Sequence, residues 1–165
     1  MSNEVFTYNH FVYLHETNSM RGVVYFSNYV KWQGMVREEF LLKTVPEWPL
    51  MMQEAIKGNL NMITVEEHSR FIHHSFFGDQ ITIKIHATEL RKLSFKIMFE
   101  MTKNDSAEVI YTGWQKLAFD DCKGNFIPIP EALLKSVVRY APSEEVKKYR
   151  DMYSIKSPNL SLETR

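Results

Sequence analysis

Between Phe26 and Lys43 runs a single helical stretch, apolar over much of its girth, and the chain that follows from Asn61 to Phe119 is patterned for strands. At about 100° per residue, Phe26, Tyr29, Val30, Val36, Phe40 and Leu41 form one broad stripe. Ile81, Ile83, Ile85 and Ala87 alternate with Thr82, Lys84 and His86, and Phe95, Ile97, Phe99 and Met101 alternate with Lys96 and Glu100. Short turns at Phe77-Gly78-Asp79 and Lys103-Asn104-Asp105 separate these segments. Consecutive strands joined this tightly pair antiparallel, and a lone helix with so wide a stripe must be wrapped by their sheet. The expected class is α+β, one domain in which a curled antiparallel sheet of about five strands surrounds a long central helix.

Around that centre, residues 6–14 read as a first strand and residues 62–74 as a long one, bulged or bent near residues 66–69. Pro46 and Pro49 interrupt regular structure ahead of one or two helical turns over residues 50–56. Pro130 opens a terminal helix over residues 131–140. The domain is expected to span residues 1–141, with residues 142–165 a partly helical, then flexible, extension. A sheet of this kind leaves strand edges uncovered, which favours self-association.

Composition narrows the partners. A formal net charge of zero advertises neither a nucleic-acid nor a membrane partner, so recognition must be local. No apolar run approaches the roughly 20 residues of a membrane span, and the first ten residues lack a signal-like core. The single Cys122 excludes an internal disulfide. A cytoplasmic protein without metal or cofactor is expected. His73 and His74 point to opposite strand faces and so do not form a metal site. The basic pairs Arg91-Lys92 and Lys147-Lys148 read as solvated surface that would also suit a phosphopantetheine or an acidic carrier.

One feature resists the plain reading. Tyr29, Gln33 and Arg37 follow at i, i+4 and i+8 inside the stripe that should be buried. A guanidinium aimed inward needs a partner. Glu66 or Glu67 of the long strand is one candidate, and a bound ligand is the other.

Thr17-Asn18, Gly22, Val24-Tyr25, Asn28-Tyr29, Trp32-Gln33-Gly34 and Arg37-Glu38-Glu39-Phe40-Leu41 stand in order within one short stretch. This set resembles the hotdog-fold acyl thioesterases of the 4-hydroxybenzoyl-CoA type, most closely those that accompany iterative polyketide synthases, enediyne synthases included. The resemblance covers roughly residues 5–141. It implies a single hotdog domain, a homodimer or homotetramer with a site shared at a subunit boundary, and an acyl carrier protein or CoA thioester as substrate. Most of these enzymes carry an acid in the loop or on the helix, whereas here those positions read Asn18 and Gln33-Gly34. The spacing from Asn18 to Tyr25 is one step longer than the family's, as if Arg21 were inserted, so either Asn18 or Ser19 fills the loop position.

The resemblance then implies hydrolysis by a positioned water without a catalytic carboxylate. Asn18 would hold the water, and Arg37 and Tyr29 would complete the catalytic set, Arg37 by binding a β-keto oxygen or a product carboxylate. Backbone N–H groups of Val23, Val24 and Tyr25 would stabilise the oxyanion, each worth about 3 kcal/mol. Ser19, Gly22, Gln33, Phe71 and Phe76 would contact substrate, with the acyl chain between the helix and Phe71, Phe76 and Phe77. The alternatives are an acyl-CoA substrate and a non-catalytic acyl- or carrier-binding module.

Overall fold

The computed structural model describes residues 4–18 and 20–153. Strand β1 (Phe6–Phe11) leads through a 3-10 turn at Leu14–Glu16 to helix α1 (Phe26–Thr44) and the short helix α2 (Trp48–Ile56). Strands β2 (Asn61–Phe71), β3 (Gln80–Thr88), β4 (Ser94–Lys103) and β5 (Val109–Asp120) follow, then the two-residue β6 (Phe126–Ile127). Helices α3 (Glu131–Val137) and α4 (Ser143–Tyr153) close the described chain. The strands pair antiparallel in the order β1-β3-β4-β5-β2, and β6 adds to β5, so the sheet has six strands rather than five. The sixth is too short for periodicity to betray it. The expected flexible tail, residues 154–165, lies outside the described residues.

The sheet curls around α1. Helix residues Trp32, Val36, Phe40 and Leu41 are at most 1 % exposed and meet Ile83, Ile85, Phe95, Ile97 and Phe119 in one core. Val36, Phe40 and Leu41 alone contribute about 2 kcal/mol each on burial, enough to drag the polar members of the stripe inward with them. The stripe itself is rotated from its expected position. Phe26 is exposed and Trp32 buried, because the helix turns its tryptophan toward β1 and the loop before it.

Strand β2 is a sheet edge, exposed along most of its length. Its register against β5 slips between Thr64 and Glu66, just ahead of the expected bulge. Val65 is the extra residue. Thr64 opposes Leu117 and Glu67 opposes Gln115, so both face the helix, as do Ser69 and Phe71 opposite Gly113 and Tyr111. Among the described residues, no helix is long and apolar enough to cross a membrane.

Candidate active site

The loop between β1 and α1 is folded back on itself. Thr17 bridges Val24, and Asn18 N–H donates to the Val23 carbonyl at 2.9 Å. Arg21 and Gly22 take successive left-handed conformations, with φ of +96° and +66°. Glycine is at ease there, and arginine is not. The strained position coincides with the apparent insertion. Asn18 presents an exposed side chain at this turn. Ser19, the other candidate for that position, lies outside the described residues.

A buried carboxylate holds this loop, and sequence reasoning missed it. Glu16 is 4 % exposed. Its Oε1 accepts from Trp32 Nε1 at 2.7 Å and its Oε2 from Tyr13 N–H at 2.8 Å, while His10 Nε2 lies 3.0 Å from both oxygens. The Glu16 backbone carbonyl also accepts from Asn28 Nδ2 at 2.6 Å and from Tyr25 N–H at 3.0 Å. A signal was available: Glu16 is the sole acidic residue between Val5 and Arg37. What the sequence did not supply was the convergence of β1, loop and helix upon it.

Burial alone would raise the Glu16 carboxyl, but the donors from Trp32, Tyr13 and His10 outweigh it and hold the pKa below the ordinary glutamate value. A carboxylate held low in the folded state stabilises fully above its unfolded pKa, and that contribution is lost as pH falls through the folded value. The wild-type chain is therefore expected to lose melting temperature below about pH 4, and Glu16→Gln to lose less over the same window. Melting-temperature curves against pH that run parallel for the two proteins would contradict this account.

Two of the three expected backbone donors are spent. Val24 N–H donates to the Ser75 carbonyl at 2.9 Å, and Tyr25 N–H to Glu16. Among the described residues, the N–H groups of Val23, Phe26 and Ser27 have no acceptor, so the open donors at the front of α1 sit one or two residues further on. Gly22 packs near Phe77.

Tyr29 packs between the helix and the sheet. It is buried, its ring stacks on Tyr111 at 5.2 Å, and its hydroxyl accepts from Ser75 N–H at 3.2 Å. Burial raises its pKa above the ordinary tyrosine value. Gln33 is likewise sealed. Fully buried, it donates to the Tyr111 hydroxyl and, at 3.5 Å, to Glu67. Phe71 packs edge-on against Tyr29 and Tyr111, and Phe76 lies under Lys103. Neither borders the apolar space beside the second half of α1.

That space is a cavity of about 580 Å³ between the second half of α1, α2 and the start of β2. Met35, Leu42, Met51, Met52, Leu60 and Met62 supply much of its apolar wall, and Arg37 lies in the same wall. Arg37 does not pair with Glu66 or Glu67. Glu66 binds Lys116, and Glu67 takes Gln33 and Ser69. Instead Arg37 Nη1 donates to Thr64 Oγ1 at 2.9 Å and to Gln115 Oε1 at 3.0 Å, both neutral acceptors. The exposed Glu38 carboxylate lies 3.7 Å from Nη2. Among the described residues, Arg37 Nε has no partner. Burial pushes the guanidinium pKa down, partly offset by Glu38, which marks a charge short of compensation.

Among the described residues there is no cluster of metal-ligating side chains. His73 pairs with Glu108 at the surface, and Cys122 is exposed in a turn.

Comparison with known proteins matches these elements. Residues 12–137 match the model of the thioesterase-like superfamily. The structure resembles a dynemicin thioesterase crystallised in a study of polyene binding, with 25 % identity, 84 % of this chain and 99 % of that one covered, and a TM-score of 0.74. It shares the fold of a 1,4-dihydroxy-2-naphthoyl-CoA thioesterase from Synechocystis, at 19 % identity, 82 % and 96 % coverage and a TM-score of 0.74. The same holds for a 4-hydroxybenzoyl-CoA thioesterase variant complexed with 4-hydroxybenzoyl-CoA, at 17 % identity, 81 % and 98 % coverage and a TM-score of 0.70. No curated protein sequence matches. A match over most of the chain, on a sheet curled about one helix, makes this protein a single-domain hotdog member of the thioesterase-like superfamily.

Proposed function

We propose that this protein hydrolyses acyl thioesters whose polyketide or fatty acyl chain, β-keto substituted in its natural substrate, is carried on an acyl carrier protein. The observation that carries this reading is the methionine-rich cavity with a half-buried, undercompensated guanidinium in its wall. Its volume falls in the range of small-molecule sites, and methionine side chains adapt to a flexible chain. The Arg37 guanidinium, which lies in the cavity wall with only neutral acceptors and the exposed Glu38 around it, supplies the polar contact for an oxygen on that chain.

The water attack takes place at the front of α1. Asn18 orients the water, the free N–H groups of Val23, Phe26 and Ser27 hold the carbonyl oxygen, and no carboxylate takes the proton. Glu16, two residues before Asn18, has both oxygens engaged. The water oxygen adds to the carbonyl carbon, the carbon–sulfur bond breaks, and the water's proton leaves with the thiol.

Arg37 stands twelve positions beyond the N-cap Tyr25, about 18 Å along one helix. In this reading the Asn18 and Arg37 that serve one acyl group come from different copies. Antiparallel pairing of two β2 edges, along residues 66–71, would set two α1 helices in opposite directions. The Arg37 cavity of one copy would then receive a chain whose thioester reacts at the helix front of the other. The active form in this reading is a homodimer, or a tetramer built from it.

One acyl chain, loaded on CoA and on a carrier protein, tests the substrate. Faster turnover of the carrier form supports the reading, and faster turnover of the CoA form moves the substrate to acyl-CoA. Saturable binding without hydrolysis would make the protein a binding module. The cavity has its own test. Ala55 lies in its α2 wall, and Ala55→Trp is expected to raise KM for a dodecanoyl thioester about tenfold while leaving a butyryl thioester within about twofold. Equal effects on both chains would separate the cavity from the acyl group.

A further inference from the structure

Glu16 is a fully fastened acid beside a reaction that uses no acid, and its position explains why the chain keeps it. Both carboxylate oxygens are taken by donors from three separate elements: His10 on β1, Tyr13 in the loop and Trp32 on α1. His10 also packs on Trp32, with ring centroids 4.8 Å apart. The same residue's backbone carbonyl ties Asn28 and Tyr25 of the helix start. Two residues on stands Asn18, on a loop that already carries a strained arginine at residue 21. Such a loop needs an anchor to hold one geometry.

We infer, on the footing of the hydrolytic reading above, that Glu16 is a positioning residue: its charge, clamped between His10 and Trp32, fixes the Asn18 amide over the free N–H groups of α1. An amide in its place would set an NH2 group against the Trp32 or Tyr13 donor, so one clamp must open. The loop would then drift while the core beneath it stayed packed.

The test is a double-mutant cycle on the intact chain with a carrier-bound acyl thioester. Glu16→Gln is expected to lower kcat about 30-fold with KM within about twofold, since a misplaced group costs rate more than binding. Placed on Asn18→Ala, the same change is expected to alter kcat less than about twofold, because the group it positions is already gone. A purely structural role would instead give additive losses in kcat. Should Glu16→Gln fail to fold, His10→Asn, which keeps a donor on β1 but removes the imidazole, is expected to show a smaller loss with the same non-additivity. Additive effects, or full kcat in Glu16→Gln and His10→Asn, would overturn the inference and leave the thioesterase reading intact. A wild-type chain that hydrolyses no acyl thioester would overturn both.

Discussion

Arg37→Met is expected to lower kcat/KM for a β-keto acyl thioester about 100-fold, and for the matching saturated chain less than about threefold. The difference arises because the guanidinium is half-buried without a counter-charge of equal burial. Its partners Thr64 and Gln115 are neutral, and Glu38 is exposed and 3.7 Å away. A keto oxygen that reaches the guanidinium from the cavity adds a hydrogen bond, whereas a methylene there does not. Methionine keeps the length and apolar volume of the side chain, but the buried Gln115 Oε1 loses its donor, at a cost of about 1–3 kcal/mol. The melting temperature should fall by a few degrees, a loss common to both substrates, while the keto preference collapses. Equal loss on both chains would assign Arg37 to the structure rather than to recognition.

Gly113→Ala is expected to cost about 3–4 kcal/mol, part overpacking and part a broken buried polar contact. For a chain of this size that lowers the melting temperature by about 10 °C. Gly113 lies in β5 opposite Ser69 of β2 and Phe99 of β4. A Cβ there would sit 2.6 Å from the His68 carbonyl and 2.9 Å from the Tyr111 hydroxyl, and would collide with the Gln33 amide. The tyrosine and glutamine belong to the Gln33–Tyr111–Ser69 network, and the clash is with backbone as well as side chain, so local relaxation is closed off. Thermal melts by circular dichroism measure the change, and a shift under 2 °C would show that the helix can move away from the sheet at little cost.

Periodicity made the architecture legible because its driving contacts are regular. The alternation in β3 and β4 and the Val36–Phe40–Leu41 side of α1 are burial patterns, and the same residues form the core. The polar residues of α1 were harder to read. Their inward direction was visible, but the groups they bind come from distant strands and loops: Ser75 for Tyr29, Tyr111 for Gln33, and Thr64 with Gln115 for Arg37. That geometry seats Tyr29 and Gln33 among buried polar contacts that periodicity alone does not reveal. The cavity was equally hidden, since it exists only where α2 and β2 meet α1 and has no local signature. Glu16 was the plainest omission, a lone acid in an aromatic neighbourhood whose significance depended on Trp32, sixteen residues further along.

Val65 has one more implication, for how the edge strand counts its residues. Removing a residue from a strand normally inverts the parity of everything beyond the gap. Here the surplus residue is already outside the ladder, so an engineered chain lacking Val65 would still aim Thr64 and Glu67 at the helix. Drawn into the ladder instead, Val65 would turn Glu66, His68 and Arg70 inward against the apolar core. The loop-out is what allows two different spacings, one of the helix and one of the strand, to stay in step.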